Sequence, residues 1–314
     1  MRFGGAWHSW DSLKDNFLVR DILTQEFRLQ RMNYSLINCK HGIMLTEDND
    51  MISSLLRYYG EWGETSIQLI APLIPTGGLA VDVGANIGAM SLAFARFVGP
   101  RGSVISFEAQ RRVYYNLCTN LLLNNVLWVE AHHCLAGSQE ELAHIALREI
   151  DDIDNNNINR GGISFPPNLQ TPSVPTGKDR IAIHSLDTFL ASRERCDLIK
   201  IDVEGAEPQV MAGLQQTLRR KRPYLYVECG SAQLFNELVP LFANAKYDLY
   251  WHPSLHFNPE NFRKASNITN YQGDMNLLGV PNEKLSCAEN RVWEPLHKAV
   301  SWQQVDKLFP NFKF

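Results

Sequence analysis

The residues best suited to chemistry in this sequence fall in two short stretches. The first is Leu79-Ala-Val-Asp-Val-Gly-Ala-Asn-Ile-Gly88, where an apolar run carrying Asp82 breaks at Gly84 into a loop and resumes as an apolar helix after Gly88. The second is Asp197-Leu-Ile-Lys-Ile-Asp-Val-Glu-Gly-Ala-Glu207, an apolar run that ends in Asp202 and Glu204 beside Gly205. Strand, glycine turn and helix in that order form the binding corner of a parallel α/β nucleotide fold, where a ligand can lie directly against the main chain. Ser103 to Phe107 reads as the next strand and ends in Glu108, 20 positions after Gly88. An acid there accepts hydrogen bonds from ribose hydroxyls.

Charge separates the candidate ligands. The amides and dipole of a helix N-terminus favour a phosphate, but Asp82, two residues before the first glycine, places a carboxylate at the same mouth. A ligand with an ammonium and a sulfonium is attracted instead. The spacing Gly-x-x-x-Gly also departs from the dinucleotide pattern Gly-x-Gly-x-x-Gly. Both features favour S-adenosylmethionine over NAD. An NAD-dependent oxidoreductase on the same fold and a non-catalytic cofactor-binding module are the alternatives.

Ligands in an open parallel sheet sit beyond the carboxyl ends of the strands, so Asp202, Glu204 and Glu228, after the strand Tyr224 to Val227, arrive on the same rim as Asp82. Carboxylates gathered there need a cation. The methionine ammonium can supply it, or, less favoured, Mg²⁺ bound through the oxygens of Asp202 and Glu228. Glu207 reads as a first-turn acid that complements a helix dipole.

The elements that position these residues follow from periodicity. Trp10 to Arg31 has one apolar helical face, available to the core or to a second copy of the chain in a homodimer. Tyr34 to Cys39 and Gly42 to Leu45 read as a hairpin, Asp48 to Tyr58 and Thr65 to Leu73 as helices. Between those helices, Tyr59-Gly-Glu-Trp-Gly-Glu64 either approaches a ligand or caps the second helix. The spacing predicts a helix over Arg111 to Leu123 and a strand over Leu127 to Ala131, whose exit through Leu135 is where an adenine ring finds an edge contact. His132 and His133 are adjacent on a strand and point to opposite faces, which argues against a shared metal. Residues 151–180 are polar, with three prolines, and read as a long surface loop. Helices over Pro208 to Leu218 and Ala232 to Phe242 follow, then strands over Tyr247 to Trp251 and Met275 to Val280. The polar segment Pro253 to Gly273 should lie over the rim. Tyr250-Trp251-His252 could stack an acceptor and take its proton, with His252 as the base.

The whole chain sets limits. With 314 residues and 45% hydrophobic composition it suits one core with elaborations. A net charge of −4 with scattered basic residues argues against nucleic-acid binding. No apolar run spans a bilayer and no export signal is evident, so a cytoplasmic protein with six reduced cysteines is expected.

The assembled motifs resemble the FkbM-type methyltransferases, which act with S-adenosylmethionine, mostly on hydroxyls of sugars, lipids and natural products. The resemblance rests on Val-Asp-Val-Gly-Ala-Asn-Ile-Gly (81–88), on Phe-Glu-Ala (107–109) with Asn116 and Asn120, and on Ser-Leu-Asp (185–187) leading into Ile-Lys-Ile-Asp-Val-Glu-Gly-Ala-Glu (199–207). Pro223 and Glu228 fit its next strand. It covers residues 59–230, and implies a Rossmann-like α/β fold of class I: a seven-stranded, mostly parallel sheet with an antiparallel last strand. It also implies that Asp82, Gly84, Asn86, Gly88, Glu108, Ala109, Leu135 and Asp202 bind the cofactor, with Asp202 near the reacting methyl. Residues 1–58 are then an N-terminal extension and 59–314 a methyltransferase domain with an insertion at 151–180. The expected partner is a small-molecule or glycan hydroxyl acceptor.

Overall fold

The computed structural model describes residues 27–29, 34–48, 50–145, 179–270, 272–286 and 291–312. β1 (Phe27–Leu29) pairs antiparallel with β2 (Tyr34–Cys39), which turns into β3 (Gly42–Glu47). The hairpin is the expected one. Most of the helix expected over 10–31 lies outside the described residues, and its Phe27–Leu29 part is a strand instead. There the ladder offered by β2 outweighs a helical apolar pattern.

α1 (Met51–Tyr59) starts at Asp50, whose carboxylate accepts from the Ser53 N–H at 2.8 Å, and stops at Gly60 in the left-handed region. α2 (Glu64–Ile70) then leads into β4 (Leu79–Val83), all five residues of which are buried. α3 (Ala89–Val98), β5 (Ser103–Glu108), α4 (Arg111–Leu123) and β6 (Val129–His133) complete the first half of the sheet. Asn120 on α4 and Asn124 at its C-cap stitch the hairpin to it by accepting from Leu45 N and Ile43 N, respectively. Asn120 also donates to the Ile87 carbonyl at 2.8 Å, which ties the glycine turn to the same helix.

A small sheet follows, with β7 (Leu135–Gly137), β8 (Glu141–Ile145) and β9 (Asp179–Ser185) in the order β7-β9-β8. Residues 151–178 of the expected loop lie outside the described residues, and Asp179 and Arg180 already belong to β9. After α5 (Leu186–Leu190) and β10 (Leu198–Ile201), the expected helix over 208–218 is divided into α6 (Glu207–Ala212) and α7 (Gln215–Arg220). The break lies at Gly213, where a Cβ would stand 2.0 Å from the Gly137 carbonyl oxygen, so the backbone itself packs on the small sheet. β11 (Tyr224–Glu228), α8 (Ala232–Asn244), β12 (Tyr247–Leu255), β13 (Gly273–Pro281), β14 (His297–Lys298) and α9 (Gln304–Leu308) finish the chain.

The main sheet has the order β14-β12-β13-β11-β10-β4-β5-β6. β6, β5, β4, β10 and β11 are parallel, and β13 runs antiparallel to both β11 and β12. The seven strands implied by the family resemblance are thus present with the last one reversed, and β14 adds a two-residue edge. The chain runs outward from β4 through β5 to β6 and returns to β10 on the other side of β4. That reversal opens a crevice beyond the carboxyl ends of β4 and β10. Apolar layers cover both faces: Val81, Val83, Ile199 and Ile201 lie in one, Ala80, Leu92, Phe94 and Leu198 in the other. Among the described residues no helix is long and apolar enough to cross a membrane.

Candidate functional site

Strand alternation builds the site. Register pairs Ser106 with Asp82, Asp82 with Lys200 and Lys200 with Tyr226, so four polar side chains cross four neighbouring strands on one face. Two residues further along each strand the same face presents Glu108, Gly84, Asp202 and Glu228 at the rim. Asn276 of β13 stands opposite Glu228, and His252 of β12 opposite Asn276. An inner rank and a rim rank result.

The inner rank is closed on itself. Asp82 is fully buried; its Oδ2 accepts from the Ser91 hydroxyl at 2.6 Å and its Oδ1 lies 3.3 Å from Lys200 Nζ. Lys200 also donates to the Gly84 carbonyl at 2.8 Å and lies 3.3 Å from Asp202 Oδ2. Burial alone would lower the pKa of this ammonium, but the charges of Asp202 and Asp82 more than reverse that and raise it. The expectation that Asp82 guards the mouth of the turn is therefore corrected: it lines no described cavity, because the alternation that puts Gly84 at the rim puts Asp82 one pleat behind it. Lys200 is the residue the sequence reading passed over. Its signal was available, since a lysine within Leu-Ile-Lys-Ile shares strand parity with Asp202.

The glycine turn is shaped by protein neighbours. Gly84 has φ +75°, and a Cβ on it would stand 1.7 Å from the Asp202 carbonyl oxygen, so only glycine lets the ends of β4 and β10 meet. Gly88, at φ +91°, makes room for Leu117 of α4 and does not reach the cavity. Asn86, itself at φ +51°, donates its N–H to Glu108 Oε2 at 3.0 Å, and Gln110 N–H donates to Oε1 at 2.8 Å. Burial raises the Glu108 pKa to about 7, against the pull of these amides and of Lys200. The Ala109 amide also pulls on this carboxylate, which retains lone-pair capacity for a ligand hydroxyl.

A second turn follows β10. Glu204 adopts φ +56° before Gly205, and the buried Glu207 clamps the turn by accepting from Val203 N at 3.0 Å and Gly205 N at 3.2 Å. Glu207 is thus the first residue of α6, as expected, with a second task in holding Glu204 at the rim. Burial, then the charges of Asp202, Glu207 and Asp274, raise the Glu204 pKa to about 7.

Two cavities of about 100 and 50 Å³ share Gly84, Glu108, Asp202 and Glu204 in their walls. The smaller continues along Ala109, Gln110, Cys134, Leu135 and Ala136, so Glu108, Ala109 and Leu135 share its wall. The larger is walled by Asn86 and by Glu228, Asp274 and Asn276, and opens toward Trp62 and Gly63. Glu61 accepts from Asn258 Nδ2 at 2.8 Å and Phe262 N at 2.9 Å, while Glu64 pairs with Lys40 at 2.7 Å and His41 at 2.8 Å. The Tyr-Gly-Glu-Trp-Gly-Glu stretch is thus anchored on both sides of Trp62, which faces the cavity with the His256 ring 4.8 Å away.

His252 does not line either cavity. Its Nδ1 lies 2.7 Å from the Tyr226 hydroxyl, which does, and burial lowers its pKa to about 4. Tyr226 continues through Ser66 to Ser254, at 2.7 and 2.5 Å. His132 stacks on Phe107 and His133 on Tyr114, on opposite sides of β6. Among the described residues no group of three or more acids, histidines and cysteines is arranged to hold a metal ion.

The chain is similar to several known proteins. Methyltransferase 1 of Beauveria bassiana (strain ARSEF 2860) is 28% identical over 156 residues, which is 46% of this chain and 61% of that protein. The crystal structure of methyltransferase FkbM from Methylobacillus flagellatus KT aligns with 18% identity and a TM-score of 0.40 over 66% of this chain and 44% of that one. Aeropyrum pernix fibrillarin, solved with natively bound S-adenosyl-L-methionine, aligns with 12% identity and a TM-score of 0.39 over 82% and 98% of the two chains. The chain thus spans less than two thirds of the first two relatives. Residues 82–249, more than half of the chain, match the model of the methyltransferase FkbM domain, and the chain belongs to the FkbM methyltransferase family.

Proposed function

We propose that the joined cavities bind S-adenosylmethionine and that the protein transfers its methyl group to a hydroxyl oxygen of a small-molecule or glycan acceptor. The observation that carries this reading is the charge balance of the rim. Asp202, Glu204, Glu228 and Asp274 line one cavity whose single described cation, Lys200, already faces Asp82. Such a wall attracts a cation and repels a pyrophosphate.

The residues present fit the donor. Glu108, with spare lone pairs beside Asn86 and Gln110, suits a ribose, and Ala109 and Leu135 in the smaller cavity suit an adenine edge. Gly84, Asn86 and Asp202 line the larger cavity next to it, while Asp82 and Gly88 support the turn from behind. When bound, the donor supplies an electrophilic methyl with a neutral leaving group. The chain's own task is then positioning the acceptor oxygen and accepting its proton. Asp202 stands on the rim for the second task, and His252 acts through Tyr226. In the same reading residues 59–314 form the catalytic unit and 1–58 an extension.

Incubation with methyl-tritiated donor and a panel of sugars, glycolipids and polyols tests the activity, with label on oxygen as the expected outcome. Calorimetry that finds NAD bound and S-adenosylmethionine not bound would favour the oxidoreductase. Binding of the donor with no label transferred to any extract fraction would leave a binding module.

A further inference from the structure

A row of hydrogen-bonded side chains from α2, β11 and β12 borders the larger cavity. His252 Nδ1 lies 2.7 Å from the Tyr226 hydroxyl, and Tyr226 lies 2.7 Å from the Ser66 hydroxyl. Ser66 donates to Ser254 at 2.5 Å, Ser254 lies 3.1 Å from the Thr65 hydroxyl, and Thr65 donates to the Leu255 carbonyl at 3.2 Å. Tyr226, Ser66 and Ser254 are buried and line the cavity. The Leu255 end fixes the direction of the whole row, because a carbonyl only accepts and each hydroxyl has one hydrogen. Thr65 gives its hydrogen to Leu255, so Ser254 donates to Thr65; Ser66 gives its own to Ser254, so Tyr226 donates to Ser66. Tyr226 then has no hydrogen for His252. The contact between them is made by a hydrogen on His252 Nδ1, with Tyr226 accepting.

Resting on the reading of this cavity as the place of methyl transfer, we propose that the row makes Tyr226 a hydrogen-bond acceptor for a hydroxyl of the substrate, and that His252 is the positioning residue that holds it so. A phenol oxygen that receives from His252 and donates to Ser66 has a lone pair left for a ligand and no hydrogen. Ser66 and Ser254 have likewise committed their hydrogens within the row. A group that meets this side of the cavity must bring its own hydrogen, as a hydroxyl does and an ionised carboxylate does not. The row ends on a carbonyl that takes no proton, so it orients a hydroxyl without deprotonating it. Burial lowers the His252 pKa to about 4, which agrees with a neutral ring at pH 7.

Nitrogen NMR of the full chain with isotope-labelled histidine rings, at pH 7 and with no ligand, reads the tautomer directly, the His252 signals being assigned by their absence in His252→Asn. The expected spectrum has His252 protonated at Nδ1 and bare at Nε2, the reverse of the form a free imidazole prefers. Ser66→Ala, which removes the acceptor of the Tyr226 hydrogen, should swap the two nitrogens. A bare Nδ1 in the native protein, or a tautomer that Ser66→Ala leaves unchanged, overturns the proposal. Transfer of tritiated methyl from S-adenosylmethionine to a cell extract is the second measurement. Tyr226→Phe and His252→Leu should each slow it by about tenfold, the effect of one buried hydrogen bond, whereas His252→Asn, whose amide N–H can replace Nδ1–H, should retain most of the rate. His252→Asn as slow as His252→Leu, or Tyr226→Phe at the native rate, also overturns the proposal. Calorimetry with S-adenosylmethionine on the native protein keeps the two readings apart: no binding, or binding without transfer, is a failure of the underlying reading, whereas the tautomer reports on the row alone.

Discussion

The inner rank and the rim rank of the sheet both carry acids, yet they handle charge in opposite ways. Asp82 has a protein cation 3.3 Å away and a serine hydroxyl at 2.6 Å, and it is sealed from water. Asp202 and Glu228 stand one pleat repeat outward and share a cavity with Glu204 and Asp274, and of these four only Asp202 forms an ion pair with Lys200. The lesson is that an acid next to a glycine turn is not by that fact a ligand group. Whether it serves the fold or the ligand depends on which side of the last strand residue it falls.

The sharpest way to break this comparison is at Lys200. Lys200→Met should destabilise the protein by about 3–5 kcal/mol, because it strands a buried carboxylate, whereas the double variant Asp82→Asn with Lys200→Met should lose far less. Urea unfolding of the two variants checks it, and equal losses would mean that Asp82 and Lys200 are not a pair. A rim acid should behave differently. With a Glu108 pKa of about 7, the ionised form that the proposed cofactor site needs to accept ribose hydroxyls is scarce at pH 6 and dominant at pH 8. Affinity for S-adenosylhomocysteine should therefore weaken by about tenfold from pH 8 to pH 6, and Glu108→Gln should flatten most of that slope. For stability the sign is opposite. Because burial raises the folded-state pKa above the unfolded one, Glu108 favours the fold when protonated, and that contribution declines as pH rises from about 4.5 through about 7. Thermal midpoints of native protein and Glu108→Gln across this range should converge at low pH and favour the variant at high pH.

The smallest effect is expected from metal. Since an ammonium already stands beside Asp202, adding Mg²⁺ or a chelator should leave S-adenosylhomocysteine affinity unchanged in calorimetry. A chelator-sensitive affinity would show that the rim, unlike the inner rank, takes an inorganic cation.

Much of the fold was legible in advance because its signals are local. The run Leu79 to Val83, the helix over Arg111 to Leu123, the hairpin at His41-Gly42 and the strand ending in Glu228 all carry their periodicity in a few consecutive residues. Gly213 was not legible as a break, since what forbids a Cβ there is the carbonyl of Gly137, far away in sequence. For the same reason the sequence does not show that Gly84, which lines both cavities, also makes room for the Asp202 carbonyl. His252 was placed at an acceptor from its neighbours Tyr250 and Trp251, and the structure sets Tyr226 between it and the cavity.

By itself, the order of residues determined that two strands end in acids beside glycine turns on one rim of an α/β sheet, because strand parity and turn chemistry are properties of short segments. Only the tertiary structure decided which of those acids is open. Register across β5, β4, β10 and β11 brings Lys200 against Asp82 and leaves Asp202 and Glu228 facing the cavity, and pairing between distant strands is a property no single segment contains.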